Sequence, residues 1–150
     1  MELLDGKLIA NILKDEIAQE VTKLVANGAR KPHLVAILVG ENGASETYVN
    51  AKVKACERVG FDSSIVRLDA DASEEVLLKE VQKINKNPEI DGLIVQLPLP
   101  KHISEIKVTE TIVPEKDVDG FHPISLGRMV LNLPTYLPAT PAGIVELLDR

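Results

Sequence analysis

The stretch Leu34-Val-Ala-Ile-Leu-Val39, closed by Gly40, decides the fold. Six consecutive apolar residues, several of them β-branched, show neither a helical stripe nor in–out alternation. A short run of this kind reads as a strand buried on both faces, the usual situation in a parallel sheet. Two similar runs follow. Ser63-Ser-Ile-Val-Arg-Leu68 reads as a second strand, and Gly92-Leu-Ile-Val-Gln-Leu97 as a third, cut off by Pro98 and Pro100. Between and before them the periodicity is helical. Leu8, Ile9, Ile12, Leu13, Ile17, Val21, Leu24 and Val25 mark one helix, with Asp5 as its N-cap and Gly28 as its stop. A polar loop, residues 40–45, leads to a second helix over about residues 46–59 that ends at Gly60. Residues 69–73 cap a third helix carrying Val76, Leu77, Val81 and Ile84. Strands alternating with helices predict an α/β fold of three layers, a parallel sheet covered by helices on both faces.

After Pro100 the pattern loosens. A helix is expected over residues 104–112, then the loop Pro114-Glu-Lys-Asp-Val-Asp-Gly120. Thr140-Pro141 has the form of an N-cap followed by proline at the first helical position, opening a helix over residues 142–148. That helix meets Arg150 without a stop signal, so the natural chain is expected to continue. The expected division is one domain over residues 1–138, with residues 139–150 starting a linking helix.

An apolar fraction of 45% and a charged fraction of 27% are those of a globular chain able to bury a core. The net charge of −6 argues against nucleic-acid and anionic-membrane partners, which recruit clustered Lys and Arg. Cys56 is the single cysteine, so no intrachain disulfide forms, and His33, His102 and His122 share no ligand spacing; no metal site is expected. The start Met1-Glu-Leu-Leu-Asp-Gly-Lys7 lacks the pattern of a signal peptide, and no apolar run reaches a membrane span. A cytoplasmic or organelle-matrix protein is the expectation.

In open α/β sheets ligands bind beyond the carboxyl ends of the strands. Three places qualify: the loop after Val39 with the helix it feeds, the segment Asp69–Asp71, and Gln96 with the Leu-Pro-Leu-Pro run after it. The first holds Tyr48 and Lys52, four residues apart and so on one helix face. A lysine acting as a base near neutrality needs its ordinary value, about 10.4, brought toward about 7–8 by burial and neutral neighbours. Gln96, polar at the end of an apolar strand, is such a neighbour, whereas a carboxylate would hold the lysine charged. Bland readings stand beside these. Helix lysines are commonly exposed, as Lys54 is expected to be; Tyr48 reads also as a packing residue; Asp117 and Asp119 read also as loop-shaping residues beside Gly120; Cys56 reads as a small buried helix residue. Tyr-x-x-x-Lys is also the pair of short-chain dehydrogenases. Those enzymes carry a glycine-rich dinucleotide turn, and residues 39–43 lack the Gly-x-Gly-x-x-Gly form.

Four motifs in order resemble one family. Ser45-x-x-Tyr48-Val-x-x-Lys52-x-Lys54, Asp91-Gly-Leu-Ile-Val-Gln-Leu-Pro-Leu-Pro100, Pro114-Glu-Lys-Asp-Val-Asp-Gly120 and Pro138-Ala-Thr-Pro141-x-Gly143 are similar to signatures of the methylenetetrahydrofolate dehydrogenase/cyclohydrolase family. The opening Leu4-Asp-Gly-Lys7 also fits, and the resemblance covers the N-terminal half of the family's usual chain. It implies a bifunctional enzyme of one-carbon metabolism, feeding purine biosynthesis. Such an enzyme oxidises 5,10-methylenetetrahydrofolate with NADP or NAD and hydrolyses the methenyl product to 10-formyltetrahydrofolate. By the same resemblance Lys52 is the acid/base group, Gln96 tunes it, Tyr48 stacks on and orients the folate, and Asp119 holds the pterin; Val95, Leu97 and Pro98 line the cleft. The implied division is a folate-binding catalytic domain over residues 1–138, with the cofactor bound by a further Rossmann domain and the whole protein a homodimer. These 150 residues alone are expected to lack dehydrogenase activity and to show weak cyclohydrolase activity at best.

The chain departs from the pattern at Ala139, where many members have cysteine. That position has no usual catalytic role. The alternative reading is a non-catalytic α/β folate-binding module, which the coding sequence beyond Arg150 would distinguish from the enzyme.

Overall fold

A computed structural model describes residues 4–41 and 43–150; residues 1–3, and Asn42 of the polar loop, lie outside them. The central strand β1 (His33–Val39) pairs in parallel with β2 (Asp62–Leu68) on one side and β3 (Gly92–Val95) on the other, giving the order β2-β1-β3. Residues 35–39 are all buried. Alternate side chains go to opposite faces. Val35, Ile37 and Val39 join Leu93 and Val95 in one core with Leu77, Val81 and Ile84 of α3 (Glu74–Lys86) and Val108 of α4 (Glu105–Thr111). Ala36, Leu38 and Ile94 are buried on the other face, the side of α2 (Gly43–Val59), whose Val49, Cys56 and Val59 are buried too. The three layers expected from the apolar runs are present.

Local chemistry explains the element ends. Asp5 caps α1 (Gly6–Ala26), its Oδ1 accepting from the N–H groups of Lys7 and Leu8 at 3.0 Å each. Ser73 and Ser104 cap α3 and α4 in the same way. At the opposite edge of the sheet from the strand ends that matter for ligands, Arg30 donates to both oxygens of Asp91 at 2.6 and 2.8 Å, and Asp91 accepts from the His33 N–H. The Arg30 guanidinium holds the Asp91 carboxyl below its usual range. This arrangement ties the starts of β1 and β3 together.

Several boundaries differ from those read in the sequence. β3 ends at Val95 rather than Leu97, although the Gln96 N–H still donates to Ile37 O at 2.9 Å. The Leu97–Pro98 peptide is cis. α2 begins at Gly43 rather than residue 46. The loop after α4 contains a 3-10 turn over Pro114–Lys116. A helix α5 (Pro123–Val130) follows that the periodicity did not suggest; His122 is its N-cap and Pro123 opens it. The last helix, α6 (Ala139–Asp149), starts with Pro138 in the N-cap position, so Thr140 is not its cap. Among the described residues no helix is long and apolar enough to cross a membrane.

Leu77 is fully buried in the layer between α3 and the sheet. Leu77→Ala should cost about 2–5 kcal/mol of folding stability. Urea denaturation measures this, and a loss below about 1 kcal/mol would show that the layer is not packed as described.

Candidate functional site

On α2 the buried residues Ser45, Val49, Cys56 and Val59 form a stripe with helical spacing, and Lys52 falls at the missing step of that stripe. The lysine is therefore directed inward and is half-buried, whereas Lys54 is exposed. Tyr48, one turn before Lys52, is 65% exposed and stands at the rim of the same face. Cys56 takes the small buried position expected of it, and burial pushes its thiol up.

Gln96 sits where β3 stops. Its Nε2 donates to Leu97 O at 2.8 Å, while its Oε1 is buried without a hydrogen-bond partner. A buried acceptor left unmade costs free energy, and in a native fold it calls for an explanation. Val95 is buried in the core, Leu97 is half-buried against it, and Pro98 is exposed.

The third element is the turn after residues 114–116. Lys116 Nζ donates to Ile84 O at 2.8 Å and Asn87 O at 2.6 Å, clamping the turn to the end of α3. Leu93 and Asp117 form a bridge that ties the turn to β3. Gly120 has a φ of +69, and a Cβ there would lie 2.6 Å from the Leu137 carbonyl carbon, so glycine alone fits. Between these anchors lies Asp119. Burial pushes its carboxyl above the usual range; the positive charge of Lys52 opposes that and the negative charge of Asp117 adds to it. The charge of Lys52, far away in sequence, thus reaches the Asp119 carboxyl.

A cavity of about 20 Å³ lies behind Asp119, lined by Leu93, Val95, Leu97, Val108, Phe121 and neighbours. It has room for little more than one water. That space is too small for a flat ligand. Asp69, from the second place named above, lies elsewhere: with Glu41, Glu46, Arg67 and neighbours it lines a separate cavity of about 500 Å³ at the ends of β1 and β2. A dinucleotide pyrophosphate requires free backbone N–H groups and positive charge. Here three carboxylates face it, and Arg67 is already bound to Glu46 at 2.6 Å. That cavity does not fit a nicotinamide dinucleotide.

The sequence reading missed what Lys116, Asp117 and His122 do. His122-Pro123 carries the same helix-opening signal that was read at Thr140-Pro141: His122 Nδ1 accepts from the Ile124 N–H at 3.0 Å.

A family model described as the catalytic domain of tetrahydrofolate dehydrogenase/cyclohydrolase matches residues 4–119. A bifunctional protein FolD from Cytophaga hutchinsonii is 62% identical over 150 residues, which are 100% of this chain and 52% of that protein. The solved structure of a 5,10-methylenetetrahydrofolate dehydrogenase from Bombyx mori superposes with a TM-score of 0.98 at 45% identity, covering 99% of this chain and 51% of that one. A dehydrogenase-cyclohydrolase from Trypanosoma brucei, solved with NADP cofactor and inhibitor, gives 0.92 at 34% identity, covering 97% and 50%. The chain spans about half the length of the curated relatives it matches.

Because the folded state raises the Asp119 carboxyl, it binds that proton more tightly than the unfolded chain does. Stability therefore falls as pH rises from the ordinary aspartate value, about 3.9, through the raised one. Asp119→Asn, which carries no charge to bury, should be more stable than the parent at pH 7 and lose that advantage near pH 4. Denaturant unfolding at the two pH values tests the sign; an advantage that grows on acidification would overturn it.

Proposed function

The chain belongs to the tetrahydrofolate dehydrogenase/cyclohydrolase family, and from that premise we propose that it is the folate-binding catalytic half of a bifunctional enzyme. That enzyme oxidises 5,10-methylenetetrahydrofolate to the methenyl form and hydrolyses the methenyl form to 10-formyltetrahydrofolate. The observation that carries this reading is the charge of the inward Lys52 acting on the half-buried Asp119, with Gln96 keeping a free acceptor at the strand end.

In this reading Asp119 holds the pterin, its carboxylate accepting from the ring N–H and amino group. A desolvated carboxylate makes strong hydrogen bonds to such donors, and the ligand's donors replace the water it lacks. Tyr48 at the rim stacks on the aminobenzoyl ring, and Val95, Leu97 and Pro98 form the apolar wall, giving a flat ligand an aromatic platform and a few fixed polar groups. Lys52 Nζ takes a proton from the water that attacks the methenyl carbon. The C–N bond to one folate nitrogen then breaks, that nitrogen takes a proton, and the carbonyl of the formyl group forms; one proton is released overall. Gln96 Oε1 accepts from Nζ and orients the amine without adding a counter-charge. Asp119, biased toward its neutral form by burial, is a weaker counter-ion for Lys52 than an exposed carboxylate would be.

Hydride acceptance by NADP or NAD belongs to the dehydrogenase step, and no residue of this chain is assigned to holding the dinucleotide. We place it on the remaining half of the full-length protein, a domain that follows residues 139–150. The length and cofactor of the relatives support that placement. The full-length enzyme is read as a cytoplasmic homodimer joined through that domain.

In the full-length protein, Lys52→Met should cut cyclohydrolase turnover by at least about 100-fold, the contribution typical of a positioned acid/base group, while folate still binds. Unchanged turnover would remove Lys52 from the mechanism. Asp119→Ala should weaken folate binding by about tenfold or more, as expected for a lost charge-assisted hydrogen bond. An unaltered dissociation constant by fluorescence titration would refute the pterin role.

A further inference from the structure

Asp117 is 2% exposed, and among the described residues no basic side chain pairs with it. Its two carboxyl oxygens are divided between two backbone donors: Oδ1 accepts from the Phe121 N–H at 3.2 Å and Oδ2 from the His122 N–H at 2.8 Å. Its own carbonyl accepts from the Gly120 N–H at 3.1 Å, and its N–H donates to Pro114 O at 3.4 Å. Residues 117–122 are thus closed on themselves by one side chain. The bridge to Leu93 fixes that turn to β3, and His122 passes it on to the first turn of α5. Asp119 lies at the middle of this closed turn.

We infer that Asp117 is a positioning residue for the folate: it holds the turn that presents the Asp119 carboxyl to the ligand, and it acts through Asp119 alone. This rests on the pterin assignment above. What the Asp117 carboxyl group adds is acceptor capacity: its two oxygens take two N–H groups at once, where asparagine offers one acceptor oxygen and an NH2 that opposes the second donor. Fixing two successive N–H groups sets both the height and the rotation of the turn. A hydrogen-bonding pair aimed at a planar pterin needs both to be held.

The test uses the full-length enzyme, with 5,10-methylenetetrahydrofolate and NADP as the substrates of the dehydrogenase step, at a temperature where each variant is folded by circular dichroism. Asp117→Asn, which retains one of the two bonds, should raise the folate KM by about tenfold and leave the NADP KM unchanged. Asp117→Ala should raise the folate KM further. In an Asp119→Ala background, Asp117→Asn should add less than about twofold, because the group it positions is gone. A purely structural Asp117 would lower the melting temperature while the folded enzyme kept its folate KM, and that result overturns the proposal. Full multiplication of the two effects overturns action through Asp119. An Asp119→Ala enzyme with normal folate KM would bring down the pterin assignment itself, and this proposal with it. Should the Asp117 variants not fold, hydrogen–deuterium exchange of residues 117–122 in the wild-type enzyme decides. Exchange there should slow by about tenfold or more when a folate analogue binds, and an unchanged rate overturns the proposal.

Discussion

β1 is flanked on both sides by strands running its own way, and nearly everything else in the chain answers to that constraint. Parallel neighbours cannot be joined by a tight turn, so each connection must cross back over a face of the sheet. Helices consequently cover both faces, which is why residues 35–39 can be apolar without interruption. The same constraint brings every strand's carboxyl end to one edge. Helix α2 leaves from that edge carrying Lys52, β3 stops there at Gln96, and the Asp117 turn is bridged to β3 nearby. Chemistry is concentrated at this edge because the backbone leaves N–H and C=O groups and loop side chains free there, while the opposite edge is closed by Arg30 and Asp91.

Within that edge the charges are arranged unequally. Asp117 and Asp119 are two residues apart, yet only the first is fully buried, and it is the one served by two backbone donors. Asp119 is desolvated without such service, so its carboxyl is raised and responds to Lys52. A group left short of partners in the free protein is one that a ligand can satisfy. The same holds for the Gln96 Oε1 acceptor. In the proposed site, one buried acceptor without a partner, one half-desolvated carboxyl and one inward lysine are set in place before the ligand arrives, at some expense to folding stability.

How much of this could be read from the residues depended on the kind of signal. The central strand was legible because a continuous apolar run has one economical explanation. Lys52 was legible as part of a helix face with Tyr48, but its inward direction was not. That direction follows from Ser45, Val49, Cys56 and Val59 being buried around it, and a serine and a cysteine mark a core stripe weakly. α5 was illegible by periodicity, since Pro123–Val130 leaves Ile124, Leu126, Met129 and Val130 exposed and buries Ser125 instead. Its start was legible in principle from His122-Pro123. Thr140-Pro141 offered the stronger-looking cap, but the helix there already begins at Ala139, so the hydroxyl arrives too late to serve. The motif resemblance named Asp119 as the ligand-holding residue. It could not say which other residues of the same motif hold the turn.

That last distinction decides how the motif at residues 114–120 is to be understood. In the proposed function one carboxylate would suffice to grip a pterin, yet seven residues carry the pattern. Pro114 opens the 3-10 turn; Lys116 spends its ammonium on two carbonyls at the end of α3, and burial lowers its proton affinity. Asp117 closes the turn that follows, and Gly120 lets the chain pass under Leu137 and Pro138 where any side chain would collide. Each of these residues is polar or conformationally special, so each resembles a functional residue when seen as a letter. Their geometry makes them a frame. A loop has no ladder of neighbouring strands or helical turns to hold it, so its rigidity must come from side chains bonded to backbone groups. The length of the motif is therefore set by the number of bonds needed to hold one carboxyl still.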